Sequence, residues 1–542
     1  MPLPTSPPQP PRHCHSRVPT PVKAERLNIL LEGYPTSLRI YLVQGFSEGF
    51  RINFQGICRS TEPANLKSAR EQPTIVFSKL RKEIEEGRIA GPFEQPPFDD
   101  FHCSPVGLVP KKVPGEYRLI HHLSYPPGGS INDSIPKEFS SVSYASISDA
   151  ISLLKQSGPG SFMAKTDIKS AFRIVPIHPD HYPLLGMKWQ GLYYYDKCLA
   201  MGLSESCAAF ERVSGSLQWL AVSRFGASGV VHILDDFLFI ANTEEKCRAD
   251  LRNFLAMCSF LGIPIAEEKT MGPSTTLQFA GITLDSIKQE ARLPSDKLIR
   301  CQSLIRHFLK KRKVSLRDLQ SLIGLLNFTC SVVLPGRAFL RRLIDLTRGV
   351  KRPSHRVNLT KETKSDLRIW LNFLEHFNGR TFFLSERVLS TELELFTDAA
   401  GSKGYGAIFG SHWFYGAWPV SWRSLNITFL EFFPIVLALH IWGSKMANKS
   451  ICFVTDNGAL VEIINRQTSR HQQIMILVRD LVLTSLKYNI LFRCRHICGR
   501  ANSRADLISR FQVDQFREIS PQADDHPTSI PESLLPEKWS IN

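Results

Sequence analysis

The sequence predicts a multidomain chain of α/β and α+β units, and three observations carry that expectation. A chain of 542 residues is too long for one core, because domains run to roughly 100–200 residues. Between about Val76 and Leu284, and again between Thr391 and Arg510, brief apolar strands alternate with amphipathic helices and Gly or Pro turns. Between these regions the texture changes: Lys297 to Arg352 holds 14 Lys or Arg against two acidic residues, Asp318 and Asp345, a net +12 of the chain's +16.

Taken in order, the first 24 residues carry eight prolines and no acid, which predicts an unpacked tail over 1–24. A lead-in of mixed short pattern follows over 25–75, and the first α/β unit over 76–290. The basic stretch, 291–350, reads as helical: Ser315 and Asp318 make a capping-box start, and Leu319, Leu322, Ile323 and Leu326 recur at helical spacing. Its charge fits either a solvated helix or a helical grip on a phosphate backbone. A polar connection over 351–390 leads to a second α/β unit over 391–511 and a tail over 512–542. No apolar run approaches the roughly 20 residues that span a bilayer, and the N-terminus lacks a signal-peptide core. The expectation is a soluble intracellular protein of the cytoplasm or nucleus, with no membrane partner. The 12 cysteines show no paired spacing and suit a reducing compartment. Cys494, His496 and Cys498 alternate along an expected strand but lack a fourth ligand for tetrahedral zinc.

Two groups of carboxylates stand out. Val230 to Ile240 sets Asp235 and Asp236 inside an apolar, strand-like run. Burying unpaired carboxylates costs on the order of several kcal/mol, so such a pair persists mainly where cations neutralise it; the alternative for this segment alone is a hairpin with Asp-Asp at its solvated tip. Phe162 to Arg173 also ends an apolar strand in an acid, Asp167. Three carboxylates on two strands can hold two Mg²⁺ about 3.5–4 Å apart for phosphoryl transfer, with Mn²⁺ as a substitute.

The order of these segments resembles the palm of retroelement reverse transcriptases over about 220 residues. The resemblance implies a right-hand polymerase, with fingers and palm over 76–290 and a helical thumb over 291–350. Lys111 to Ile120 resembles the fingers, where Lys112 and Arg118 would hold the incoming triphosphate. Asp167 matches the first catalytic Asp, and Phe172 the bulky gate that rejects a ribose 2′-hydroxyl. Met201 and Gly202, in Met201-Gly202-Leu203-Ser204-Glu205-Ser206, match the loop beneath template and nucleotide. Asp235 and Asp236 match the Asp pair, Lys269 the lysine that protonates pyrophosphate, and Leu277 to Leu284 the primer-grip hairpin. Ile233 replaces the usual Tyr before the Asp pair, and His122 stands where many relatives have Asp.

The second group lies downstream. Asp398 follows an apolar strand, Glu431 opens an apolar helix, Asp456 ends the strand Ile451 to Thr455, and Asp506 sits on a short helix. In isolation, Glu431 reads first as the acid of a capping box with Thr428. These four acids resemble the Asp-Glu-Asp-Asp set of ribonuclease H, whose two metal ions would generate the hydroxide that attacks the RNA strand. His496, ten residues before Asp506, resembles that family's mobile histidine, and also fits a half-buried strand residue.

Together the motifs resemble a retrotransposon reverse transcriptase joined to a ribonuclease H, most closely the DIRS group, whose elements use a tyrosine recombinase. The resemblance implies that the chain copies an RNA template from a DNA primer with dNTPs and degrades the RNA strand of the RNA–DNA hybrid. The rival is a decayed or domesticated relic that binds nucleic acid without catalysis. Its expected signature is loss of metal ligands, and all seven carboxylates are present.

Overall fold

The structure is a computed structural model that describes residues 18–111, 115–376, 380–382, 387–389, 391–447, 449–488 and 490–539. The chain divides into two compact units, Met1–Ala280 with Leu284–Lys288, and Gly281–Thr283 with Gln289–Asn542. The architecture is the expected mixture of α/β and α+β layers. The expected basic helices, connection and second α/β region cluster together in the second unit.

In the first unit β1 (Ile89–Phe93), β5 (Gly186–Trp189) and β6 (Leu192–Asp196) form a small antiparallel sheet, and β2 (Val106–Pro110) pairs with β3 (Tyr117–His121). The central sheet has the order β7 (Val230–Ile233), β8 (Asp236–Ala241), β4 (Phe162–Asp167), β9 (Met271–Ser274), antiparallel throughout. Helices α1 (Ser206–Ser223) and α2 (Glu244–Leu261) pack against it. Strand β8 carries Phe237, Leu238, Phe239, Ile240 and Ala241, all fully buried. This continuous apolar run marks a strand covered on both faces, unlike the in–out alternation of a sheet with one wet face. α2 begins with Thr243 accepting the Lys246 N–H and ends at Gly262 in the left-handed region, the two ordinary terminators of a helix.

The expected unpacked tail over 1–24 does not hold for its last seven residues. Residues 1–17 lie outside the described residues, but Val18 and Val22 are buried, Thr20 Oγ1 donates to the Ile174 carbonyl, and the Lys23 N–H donates to Leu261. Proline content predicts extended chain, and extended chain can still dock.

The second unit begins with α3 (Ser295–Lys310), β10 (Lys313–Ser315), α4 (Leu316–Thr329), β11 (Arg356–Asn358) and α5 (Lys361–His376). Ser315 caps α4 by accepting the Asp318 N–H, and Leu319, Leu322 and Leu326 are buried as the spacing predicts. Asp366 on α5 is buried between two arginines, Arg342 at 3.0 Å and Arg479 at 3.4 Å. Burial pushes the Asp366 carboxyl up to about 6 despite them, and lowers Arg479. Both shifts say that desolvation outweighs the attraction, so the pair is costly yet still needed by its partners. Asp366→Ala, which leaves Arg479 buried and unneutralised, is expected to destabilise the unit by about 3–5 kcal/mol. Urea unfolding checks it, and a loss under about 1 kcal/mol would contradict it.

Beyond α5, an antiparallel sheet of β12 (Leu395–Ala400), β13 (Gly404–Phe409) and β14 (His412–Ala417) lies beside a parallel sheet. In the latter, β15 (Ser450–Thr455) runs between Arg387–Leu389 and β16 (Leu491–His496). Helix α6 (Ile427–Trp442) packs on β12 and β13, and α7 (Gln472–Lys487) packs on α6. Ile427–Met446 is in fact long and apolar enough to cross a membrane, contrary to the sequence expectation, but 72% of that window is buried inside the unit. An all-round apolar helix of this kind is also the core helix of a folded unit.

The expected C-terminal tail over 512–542 is packed as far as it is described. Phe516 of the helix Val513–Ile519 is buried with its ring 5.2 Å from Trp413, the Asp524 N–H donates to Ser411, and the Trp539 ring lies 5.5 Å from Phe433.

Candidate active sites

The first carboxylate group assembles at one end of the central sheet. β4 ends at Asp167, and its antiparallel register places Asp167 opposite Asp236. β7 and β8 are joined by a two-residue turn, Leu234 and Asp235, closed by the pair Ile233 and Asp236. Leu234 sits in the left-handed region at φ 55°, a conformation that costs a non-glycine residue about 1–2 kcal/mol. The hairpin-tip reading is therefore right about the turn, but the tip is half-buried rather than fully exposed. The Ile168 N–H donates to the Asp235 carbonyl at 3.0 Å, fastening the turn to the end of β4.

Burial, then the field of Asp167, pushes the Asp235 carboxyl above its ordinary range. Asp236 is raised by burial too, against the opposing field of Lys165. Lys269 Nζ donates to Asp167 Oδ2 at 2.8 Å; burial opposes its charge, but the hydrogen bond and the fields of Asp167 and Asp235 hold the ammonium above its ordinary range.

Arg118 is exposed on β3, and its positive field reaches Asp235; Lys112 lies outside the described residues. Phe172 is half-buried on the 3-10 turn Ala171–Ile174, with its ring 5.8 Å from Phe210. Its neighbour Arg173 anchors that turn through Asp196 at 2.6 Å and Glu83 at 2.9 Å.

The carbonyl of Met201 accepts the His121 N–H at 3.0 Å. Gly202 has φ +136°, and a Cβ there would stand 1.9 Å from the His121 carbonyl oxygen, so only glycine fits. Sequence reasoning missed the residue that braces this loop. Asn132 Nδ2 donates to the Gly202 carbonyl at 2.8 Å and to Ser124 Oγ at 2.8 Å, while its Oδ1 accepts the Ser204 N–H at 2.9 Å.

The second group assembles from strand, helix, strand and helix. Asp398 lies within β12 opposite Gly406, not at the strand's end. Asp456 follows β15, and Asp506 is on α8 (Ser503–Ser509). Glu431 is not the acid of a capping box: Asn426 caps α6 by accepting the Thr428 N–H at 2.8 Å. Its Oε2 is instead buried without a hydrogen-bond partner among the described residues.

Burial pushes Glu431 up to about 7, with Asn457 opposing and Asp456 and Asp398 adding to the rise. Asp398 is pushed up to about 6 by burial, with Ser509 opposing, its Oγ donating to Asp398 Oδ2 at 2.6 Å, and with Asp506 and Asp456 adding to the rise. Asp506 is paired with Arg510 at 2.8 Å. His496 is exposed at the end of β16, its Nε2 3.0 Å from the Asp456 carbonyl oxygen. A Cβ on Gly499 would stand 3.1 Å from Asp456 Oδ2, so the backbone passes close to that carboxylate. Ser509 and Asn457 carry no motif signal beyond adjacency to Asp506 and Asp456.

Among the described residues no three acidic, histidine or cysteine side chains already converge as a metal cage. Protein cations meet the charge instead, Lys269 at Asp167 and Arg510 at Asp506. Both groups nevertheless suit hard cations: oxygen donors only, carboxyls raised by burial and then by neighbouring acids, and at Glu431 a buried oxygen with no partner among the described residues.

Residues 109–284 match the family model described as reverse transcriptase (RNA-dependent DNA polymerase). No curated protein matches the sequence. Among solved structures, a foamy viral protease-reverse transcriptase in complex with RNA/DNA hybrid superposes with a TM-score of 0.50 at 13% identity, over 90% of this chain and 64% of that one. A foamy viral protease-reverse transcriptase dRH in complex with double-stranded DNA gives 0.49 at 14% identity, over 90% of this chain and 84% of that one. At such identity the likeness speaks for fold alone, and the fold is that of a reverse transcriptase polymerase. The chain carries a reverse transcriptase domain, residues 109–284.

Proposed function

We propose that this chain is a retrotransposon enzyme of the DIRS group that copies RNA into DNA at Asp167, Asp235 and Asp236 and cleaves the RNA of the hybrid at Asp398, Glu431, Asp456 and Asp506. The observation that carries the first half is the junction of β4 with the β7–β8 turn, which brings three acids and Lys269 together inside the reverse transcriptase domain. The second half rests on Asp398 and Glu431, both raised by burial and then by neighbouring acids, and on a buried Glu431 oxygen with no hydrogen-bond partner among the described residues.

Mg²⁺, or Mn²⁺, two ions at each group, would activate the primer 3′-hydroxyl and steady the leaving pyrophosphate at the first site, and activate water at the second. The chain's own residues do the rest. Arg118 binds the triphosphate, joined in this reading by Lys112. Phe172 blocks a ribose 2′-hydroxyl. Lys269, kept protonated by Asp167, is placed to give its Nζ proton to the departing pyrophosphate. His496 would assist release of cleaved RNA. Template RNA, DNA primer, hybrid and dNTPs are the partners. Eleven free cysteines among the described residues suit a reducing cytoplasm or nucleus.

Asn132 tests the positioning part of this reading. Asn132→Ala removes two hydrogen bonds from the Gly202 loop and a third to Ser124, at about 1 kcal/mol each in net terms. It is expected to cost about tenfold or more in kcat/KM for dNTP, mainly through KM, with the melting temperature little changed. Unchanged steady-state constants would remove Asn132 from the nucleotide site. The reading as a whole is tested by dNTP incorporation on a primed RNA template with template cleavage followed in the same tube. Incorporation without cleavage would keep its first half and remove its second.

A further inference from the structure

The basic charge of residues 297–352 is not where helical periodicity puts it. Four arginines of this stretch are neutralised within their own unit: Arg306 pairs with Glu375 at 2.8 Å, Arg342 with Asp366 at 3.0 Å, and Arg341 and Arg348 share Asp345 at 2.8 and 3.2 Å. The unpaired charge gathers on a two-stranded ribbon. β10 and β11 are antiparallel, with Lys313 opposite Asn358, Val314 opposite Val357 and Ser315 opposite Arg356. Backbone hydrogen bonds extend the pairing on both sides, from Leu359 to Arg312 and from Leu316 to His355.

Positions 310–313 are all Lys or Arg and enter the ribbon; Arg317 follows it, and Lys351, Arg352 and Arg356 arrive from the other strand. All eight are exposed, and none makes an ion pair among the described residues. The one acid within 310–318 and 351–358 is Asp318, which accepts a hydrogen bond from Ser315. Val314 and Val357 are buried beneath the strands and hold the ribbon to the unit. Eight like charges on and beside two strands of three residues each repel one another, and a polyanion with regularly spaced charge relieves that repulsion.

We propose that the β10–β11 ribbon docks the phosphate backbone of an RNA–DNA hybrid, gripping charge without reading bases. This rests on the reading of the chain as a template-copying enzyme. The ribbon presents several cations and no built pocket for a base, so its contribution is independent of sequence and steep in salt.

The experiment measures hybrid binding by the full chain from 50 to 300 mM NaCl, for wild type, Lys311→Ala/Arg312→Ala/Lys313→Ala and Lys351→Ala/Arg352→Ala/Arg356→Ala, with melting temperatures in parallel. Each triple variant is expected to reduce the slope of log K against log salt by about 2–3, at roughly 0.9 for each phosphate no longer neutralised, and to weaken binding about tenfold or more. Arg306→Ala/Arg341→Ala, which removes internally paired cations, should leave the slope unchanged. Unaltered slope and affinity in either folded triple variant would overturn the proposal. So would an equal slope loss in the Arg306/Arg341 control, or competition by polyglutamate as strong as by hybrid. Two triples on the two arms of the ribbon keep the test readable if one fails to fold. Primer extension is scored separately: a wild type that binds hybrid steeply but extends nothing refutes the polymerase reading and leaves the ribbon standing.

Discussion

Asp235→Asn is expected to lower primer extension on RNA by about a thousandfold or more, while the protein folds normally and template cleavage continues. The magnitude follows from loss of one charged metal ligand, worth roughly 4 kcal/mol of transition-state stabilisation. Folding should not suffer, because the wild-type carboxyl is held above its ordinary range by burial and by Asp167. Replacing it with a neutral isostere removes repulsion rather than packing. Initial rates, the melting temperature and the RNA fragment pattern are all read from one preparation. Extension that survives within tenfold of wild type would put the first site elsewhere.

The second large effect is expected at Glu431. Glu431→Gln should abolish cleavage of the hybrid by a similar factor and leave extension intact, since the two carboxylate groups lie in different compact units. It also carries a stability signature. Glu431 in the folded chain titrates at about 7, from an ordinary 4.5, through burial and then the fields of Asp456 and Asp398, with Asn457 opposing. Between those values the folded state binds more protons than the unfolded state, so metal-free stability falls as pH rises from about 4.5 to 7. Glu431→Gln should flatten that fall and raise metal-free stability at pH 8. A melting-temperature profile with the same slope in wild type and variant would contradict the assignment of the buried, unpartnered oxygen.

Much of the first site was legible because its energetics are local. Acids inside apolar strand runs, as at Asp167 and in Leu234-Asp235-Asp236-Phe237, are too costly to be incidental, and their register follows from antiparallel pairing. The mixed α/β and α+β character was legible from the spacing of apolar residues.

What escaped the sequence depends on long-range geometry. Asn132 lies in a Gly-, Ser- and Pro-rich loop, 70 residues from the carbonyl that it braces. Asn426 displaced Thr428 as the cap of α6 because a cap is decided by backbone conformation, for which both residue types qualify. The proline-rich segment docks from Val18 onward, and the C-terminal stretch docks through Phe516 and Trp539, because isolated apolar residues there find partners far away in the chain. The pairing of the basic charge over 297–352 escaped for the same reason: periodicity reports which face a cation occupies, not that Glu375 neutralises Arg306 from 69 positions away. Asp366 is the converse case, an acid on an amphipathic helix that looks solvated in sequence and is buried between two arginines.

Everything proposed for the first site turns on whether the three carboxylates at the tip of the central sheet polymerise DNA on RNA. The decisive assay is incorporation of labelled dNTP by the wild-type chain on a DNA-primed RNA template in Mg²⁺ and in Mn²⁺, with hybrid binding measured on the same preparation. Template-directed extension is expected, stopping when the metal is chelated and resuming when it is restored. Tight hybrid binding with no extension in either metal would refute polymerisation at these acids, and would make the chain a nucleic-acid-binding relic of such an enzyme.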